Sequence, residues 1–165
     1  MGIPQNEITI RWMETRDVPS VLEIENACFH DPWSESFIYE AMRAADRHGV
    51  VAELEGHVVA HMFYSIHKTH PRIDNIAVDP RYQRLGIGRC LMNWMTARLK
   101  AFGNRRKLLL TVPESNLHAQ LFFRATGFQA IQVIRNYFQD PDQDGYVMTY
   151  VRKRKSPVAT DSASA

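Results

Sequence analysis

A β-rich run ends at Val78, an apolar repeat of helical period begins at Ile87, and the link between them leaves the chain few options. It reads Val78-Asp79-Pro80-Arg81-Tyr82-Gln83-Arg84-Leu85-Gly86-Ile87-Gly88-Arg89. Asp79-Pro80 stops the strand, since proline has no N–H to continue a ladder. Gly86 and Gly88 lack Cβ atoms, so the backbone can turn tightly and a ligand can approach the free amides of the helix's first turn. Those amides and the helix dipole suit a pyrophosphate, and Arg84 and Arg89 can add charge-assisted bonds. The loop has neither the Gly-Lys-Ser/Thr end of a Walker A sequence nor the spacing Gly-x-Gly-x-x-Gly.

The remaining pattern places this unit in a single mixed layer structure. Ile8, Ile10 and Trp12 alternate as a first strand. Asp17 and Ser20 are placed to cap a helix carrying Val21, Leu22, Ile24 and Cys28, and Ser34 starts a second with Phe37, Ile38 and Met42. Gly49 to Leu54 and Val58 to Ile66 are strands divided by Glu55-Gly56, and another runs from Ile73 to Val78. Ile87, Leu91, Met95, Leu99 and Phe102 make a long helix that Gly103 ends. Leu108 to Val112 is a strand, Asn116 to Thr126 a helix, and Phe128 to Ile134 and Tyr146 to Val151 are closing strands. The order β-α-α-β-β-β-α-β-α-β-β predicts an α/β (α+β) domain with a mixed sheet of about seven strands and about four helices. The domain should span residues 8–151. Residues 152–165, basic and then rich in Ser and Ala, have too little apolar surface to order themselves.

At 165 residues with two cysteines, the chain is neither a multidomain machine nor a disulfide-stapled scaffold. No run approaches 18 apolar residues and no signal-peptide layout opens the chain, so a soluble, cytoplasmic protein with no membrane role is expected. The start Met1-Gly2-Ile3-Pro4-Gln5-Asn6 offers Asn6 where a myristoylation site needs Ser or Thr. The formal charge is +2, but four basic residues against Asp161 give the tail +3 and leave the rest at −1. From Arg81 to Lys107 stand Arg81, Arg84, Arg89, Arg98, Lys100, Arg105, Arg106 and Lys107, with no acid among them. That stretch could face a polyanion or be a solvated basic helix. Aromatic interleaving of the RNA-binding kinds is absent, and no nucleic-acid partner is expected. His57 and His61 lie in a strand pattern without the Glu of His-Glu-x-x-His, so no metal is expected either. His67 and His70 flank the entry to the fourth strand as loop residues.

The Gln/Arg-x-x-Gly-x-Gly loop after a strand resembles the acetyl-CoA loop of the GNAT acetyltransferases. Asn75-Ile76-Ala77-Val78-Asp79-Pro80 before it, Ser115-Asn116 after the next strand, and Phe122-Phe123-Arg124-Ala125-Thr126-Gly127-Phe128 extend the likeness from Ile8 to Val151. Within that superfamily the chain is most similar to the RimI-type N-terminal (ribosomal-protein alanine) acetyltransferases. The similarity rests on Ala27-Cys28-Phe29-His30-Asp31-Pro32-Trp33-Ser34, Arg135-Asn136-Tyr137-Phe138 and Asp144-Gly145-Tyr146-Val147-Met148.

The resemblance implies acetyl transfer from acetyl-CoA to a primary amine, foremost the α-amine of a protein or peptide N-terminus, by a monomer or homodimer. It implies a pantetheine arm paired like an added strand with Ile76, Ala77 and Val78. The pyrophosphate would sit on Arg84, Leu85, Gly86, Ile87, Gly88 and Arg89. Asn116 would bond the pantetheine arm and Phe123 would belong to the cofactor side. Trp33 would wall the acceptor pocket, unless it only staples the first two helices to the core. The likeness also implies a Glu base on the fifth strand and a Tyr acid on the following helix, and here the sequence departs: those positions hold Thr111 and Phe123. Threonine cannot act as a base near neutral pH and phenylalanine has no proton to give. Three accounts follow. Asp74, at a strand position that carries a carboxylate base in other GNAT enzymes, acts through a water; Tyr137 orients the amine or replaces the acid; or the chain binds acetyl-CoA without efficient turnover. Acetylation of a small amine or a lysine is the rival within the enzyme class.

Overall fold

A computed structural model describes residues 7–102, 106–139 and 142–152. Its elements follow the expected order: β1 (Ile8–Trp12), α1 (Val18–Cys28), α2 (Glu35–Arg43), β2 (Arg47–Leu54), β3 (His57–Ile66), β4 (Pro71–Val78), α3 (Ile87–Arg98), β5 (Lys107–Pro113), α4 (Leu117–Ala125), β6 (Gln129–Gln139) and β7 (Asp142–Val151). The Met1–Asn6 start, Gly103 and residues 153–165 of the expected tail lie outside the described residues.

Strand alternation divides the apolar residues between two cores. On one face Leu91, Met92 and Met95 of α3 and Phe123 of α4 pack on Ala52, Met62, Tyr64, Ile73, Leu110 and Met148. On the other, Val18 and Val21 of α1 and Ile38 and Ala41 of α2 pack on Val51 and Phe63. Fully buried side chains such as Leu91, Met95 and Ile38 each contribute roughly 1.5–3 kcal/mol. Helix cover on the second face is concentrated over β2, β3 and β4, where α1 and α2 sit.

The sheet runs β1-β2-β3-β4-β5-β7-β6. Every neighbouring pair is antiparallel except β4 and β5, which are parallel. Arg72 and Leu109 are the one pair in register between them, so the ladder stops there and the strands part toward their C-terminal ends. Beyond Arg72, β4 keeps only its β3 partner along Asn75, Ile76, Ala77 and Val78.

Three local details differ from expectation. Asp17 stands at the N-cap of α1 but does not cap it. Its carboxylate is taken by both terminal nitrogens of Arg11, at 2.7 and 2.8 Å, and by the Glu14 amide at 2.8 Å. A bidentate charge-assisted pair outcompetes a cap bond. The long helix leaves α geometry at Leu99 and finishes as a 3-10 turn through Phe102. The last two strands are longer than their apolar runs, because pairing continues through polar residues to Phe138↔Gln143 and Gln139↔Asp142. Ser34 caps α2 as its position predicts, accepting from the Phe37 amide at 3.2 Å.

Candidate active site

The parting of β4 from β5 opens a cleft with different chemistry at its two ends. At one end stands the glycine link. Gly86 takes φ +92° and Arg84 φ +66°, both left-handed, and the turn delivers the chain to the start of α3. The helix begins with Cys90 N donating to Gly86 O at 3.0 Å, and no side chain caps it. Its first-turn amides are therefore free to meet an anion. A Cβ on Gly88 would stand 3.1 Å from the Phe122 ring, so this glycine lets α3 approach α4. Arg84 and Arg89 are exposed and form no ion pair among the described residues. Leu85 is half-buried and Ile87 anchors in the core. Asn116 spends Oδ1 on capping α4 through the Ala119 amide at 3.0 Å, which leaves its Nδ2 for a ligand. The Val78 carbonyl already accepts from Gln83 Nε2 at 3.0 Å and Cys28 Sγ at 3.3 Å. Phe123 is buried with Phe122 and Phe128 around it.

At the other end β4 projects Arg72 and Asp74 onto the α1/α2 face, with Ile73 between them in the opposite core. Asp74 accepts from Ser65 Oγ at 3.0 Å and from Arg47 Nε at 3.2 Å. Burial outweighs these partners and holds its pKa above the ordinary 3.8. The Arg47 guanidinium lies 5.8 Å from the Trp33 ring centre and 5.6 Å from that of Phe37. Trp33 packs on Phe37 and Phe63. It joins the helices to the core, and Arg47 stands between it and Asp74. Its position is fixed by Glu25, fully buried, whose Oε2 accepts from the Trp33 amide at 2.9 Å. Glu25 Oε1 accepts from Asn75 Nδ2 at 2.9 Å and stands 2.8 Å from His61 Nε2, out of line for a hydrogen bond.

Arg72 connects the remaining candidates. Its Nη2 donates to Thr111 Oγ1 on β5 and to Tyr137 Oη on β6, the latter at 2.9 Å. Two features bring Tyr137 across. Asn136 takes φ +48° at a break in the β6–β7 register between Ile134 and Phe138, and its amide donates to Asp144 Oδ1 at 3.1 Å. A bulge of this kind re-aims the next side chain, and Asn tolerates the left-handed region. Gly145 on β7 lies between the two hydroxyl residues: a Cβ there would stand 2.7 Å from Thr111 Cγ2 and 2.8 Å from Tyr137 Cβ. Asp74, Thr111, Tyr137 and Trp33 are thus gathered at one end, and the loop residues at the other. A cavity of about 700 Å³ is lined by none of Asp74, Thr111, Tyr137, Trp33 or residues 84–89, and meets the link only at Asp79, Arg81 and Tyr82. Its Arg11, Asp17, Glu53, Asp79 and Arg81 are paired with one another.

Residues 18–128 fit the model of the acetyltransferase (GNAT) family. The chain belongs to that family. As a GNAT N-acetyltransferase it is 30% identical over 145 residues to a putative [ribosomal protein bS18]-alanine N-acetyltransferase of Bacillus subtilis, covering 87% of this chain and 95% of that one. It is 32% identical over 143 residues to the [ribosomal protein bS18]-alanine N-acetyltransferase of Escherichia coli, with 85% and 95% covered. The crystal structure of the Escherichia coli ribosomal-protein-S18-alanine N-acetyltransferase superposes with a TM-score of 0.78 at 28% identity, covering 92% of this chain and 97% of that one. GNAT acetyltransferases use acetyl-CoA, and the seven-strand, four-helix architecture is the fold expected of the family.

Sequence reasoning missed Arg72, Arg47, Glu25 and Gly145. Arg72 carried a usable signal, since it shares a strand face with Asp74 two residues on. Gly145 carried one too, as a glycine inside a closing strand. Glu25 carried none: a glutamate on an amphipathic helix reads as solvent-facing. Among the described residues no helix is long and apolar enough to cross a membrane.

Proposed function

We propose that this GNAT enzyme moves the acetyl group of acetyl-CoA to the α-amine of a protein or peptide N-terminus. The observation that carries the reading is the pair of proton-handling groups at the parting of β4 and β5: the half-buried Asp74 carboxylate and the Tyr137 hydroxyl beside Thr111. The names of its bS18-alanine relatives support the choice of acceptor. The working unit is residues 8–151. The uncapped first turn of α3, the left-handed Gly86 and the unpaired Arg84 and Arg89 suit the pyrophosphate. The edge of β4 along Ile76, Ala77 and Val78, which β5 leaves uncovered and where only the Val78 carbonyl is taken, by Gln83 and Cys28, suits the pantetheine arm laid down as an extra strand, with Asn116 Nδ2 as a further donor.

In the transfer the amine nitrogen attacks the thioester carbon, the carbon–sulfur bond breaks, and CoA departs as a thiolate. The amine loses one proton and the thiolate gains one. Asp74 takes the first through a water, its raised pKa making it a better base than an ordinary aspartate. Tyr137 Oη accepts from Arg72, so its own hydrogen stays free for the departing sulfur. Thr111, also an acceptor from Arg72, orients the arginine and moves no proton. An α-amine, with a pKa near 8, is about one-tenth neutral at pH 7, whereas a lysine amine near 10.4 is neutral in fewer than about one molecule in a thousand. A site without the family's glutamate therefore favours the former.

Asp74→Asn should lower turnover by roughly 10²–10⁴-fold with acetyl-CoA affinity unchanged in calorimetry. In the native enzyme kcat/KM should fall as pH drops through the raised pKa of Asp74, where the base becomes protonated, and the variant should lack that limb. Unchanged turnover would remove Asp74 from the mechanism, and no acetyl-CoA binding would overturn the whole reading. Thr111 and Phe123 favour one second reading, an acetyl-CoA-binding protein with little turnover. Binding without CoA release over a panel of N-terminal peptides and small amines would select it.

A further inference from the structure

The acceptor end holds more positive charge than a site built only to receive an amine. Arg47 is neutralised by Asp74. Arg72 is in no ion pair among the described residues: it donates to the neutral Thr111 and Tyr137 hydroxyls, its guanidinium lies 6.0 Å from the Tyr137 ring centre, and the Asp74 carboxylate, bonded to Arg47, meets it only through its longer-range field. The nearby carboxylates are committed elsewhere. Glu25 holds Asn75 and Trp33, Asp144 holds Arg135 and the Asn136 amide, and Asp74 holds Arg47 and Ser65. His67, next along this face, is bonded to Ser65. Of the five N–H donors of a guanidinium, Arg72 uses two, both on Nη2, and those on Nη1 and Nε have no acceptor among the described residues. Its orientation is nonetheless fixed by two hydroxyls on two further strands. A half-buried, oriented, unpaired guanidinium is arranged to take a carboxylate.

We propose that Arg72 binds a carboxylate of the acceptor, so that the enzyme prefers N-termini with Asp or Glu among their first two residues. The proposal rests on the N-terminal acetyltransferase reading above and narrows it to a substrate class. Arg72 lies on the same strand face as Asp74 and touches Tyr137, so a bound carboxylate would sit within one or two residues of the reacting amine. The same contact could be made by the α-carboxylate of a free amino acid, which shares the chemistry.

The test is kcat/KM for acetyl transfer to three otherwise identical peptides beginning Ala-Glu, Ala-Gln and Ala-Lys, and to free alanine and glutamate. It is run with the native enzyme, Arg72→Gln and Arg72→Glu. The native enzyme should favour Ala-Glu over Ala-Gln by about tenfold, as one charge-assisted hydrogen bond allows. Arg72→Gln should bring that ratio close to one, and Arg72→Glu should invert the order in favour of Ala-Lys. Each ratio is internal to one protein, so a partly unfolded preparation does not disturb it, and acetyl-CoA affinity monitors the fold. Turnover of all three peptides without a charge preference, or a preference that survives Arg72→Gln, would overturn the role of Arg72 and leave the function standing. Turnover of free amino acids alone, lost in Arg72→Gln, would keep the carboxylate contact and overturn the N-terminal acceptor. No turnover of any acceptor would overturn the transfer reading and this inference with it.

Discussion

The two ends of the cleft are built on opposite plans. The end proposed for the cofactor is contiguous: twelve residues from Val78 to Arg89 supply its turn, its amides and two unpaired arginines. The end proposed for the acceptor is gathered from β2, β4, β5, β6, β7, α1 and the α1–α2 link, and its groups hold one another: Arg47 to Asp74, Arg72 to Thr111 and Tyr137, the Glu25 carboxylate to the Trp33 amide. A ligand common to a whole family can be met by backbone amides, which any sequence supplies if it turns correctly. Discrimination between acceptors needs side chains, and side chains in a cleft must be oriented by other side chains.

The contrast can be broken at either end. The largest effect is expected from Gly86→Glu. A Cβ at Gly86 meets no neighbour, so the penalty comes from the left-handed backbone and from a negative charge at the start of α3. Together these should weaken acetyl-CoA binding at least about 100-fold in calorimetry, with the fold intact by circular dichroism. Gly145→Ala tests the other plan. Its methyl would press on both Thr111 and Tyr137. It should cost about 1–3 kcal/mol in urea unfolding and lower kcat/KM by up to about a hundredfold without changing acetyl-CoA affinity. An unchanged kcat/KM would mean that Tyr137 is not held in place by that contact.

Asp17→Asn should sharpen the comparison by touching neither end. Asp17, nearly buried against Arg11, should lose about 2 kcal/mol of stability with activity unchanged. Arg11 holds the Asp17 carboxyl below its ordinary 3.8, so the pair stabilises the fold fully above that pH and loses its effect as pH falls through the depressed value. Urea midpoints compared at pH 7 and pH 3 should show the native protein losing stability on acidification and the variant losing less.

What was legible in the chain follows the same division. The strand, link and helix from Ile73 to Phe102 were readable because glycine spacing and apolar period are local properties. So were the alternating strands β1 to β3 and the Ser34 cap. Asp17 was misread as a cap because its competitor, Arg11, sits on another element. The extension of β6 to Gln139 was invisible to periodicity, since its pairing with β7 runs through polar residues. Asp74 and Tyr137 were found as candidates, but Arg72 was not, because its partners lie across the sheet order β4-β5-β7-β6. The composition of a pocket assembled by strand order cannot be read until that order is known.

The bend at Asn136 has a second consequence, for solubility. β6 is an outer strand of eleven residues, exposed along most of its length and carrying Ile131 and Val133 in the open. A straight edge of that length presents rows of unpaired amides and carbonyls on which another chain could add a strand. By breaking the register between Ile134 and Phe138, the left-handed residue that aims Tyr137 into the cleft also divides this edge into two short, misaligned pieces. Replacing Asn136 with a residue that straightens the strand would then endanger the molecule as a colloid as well as a catalyst.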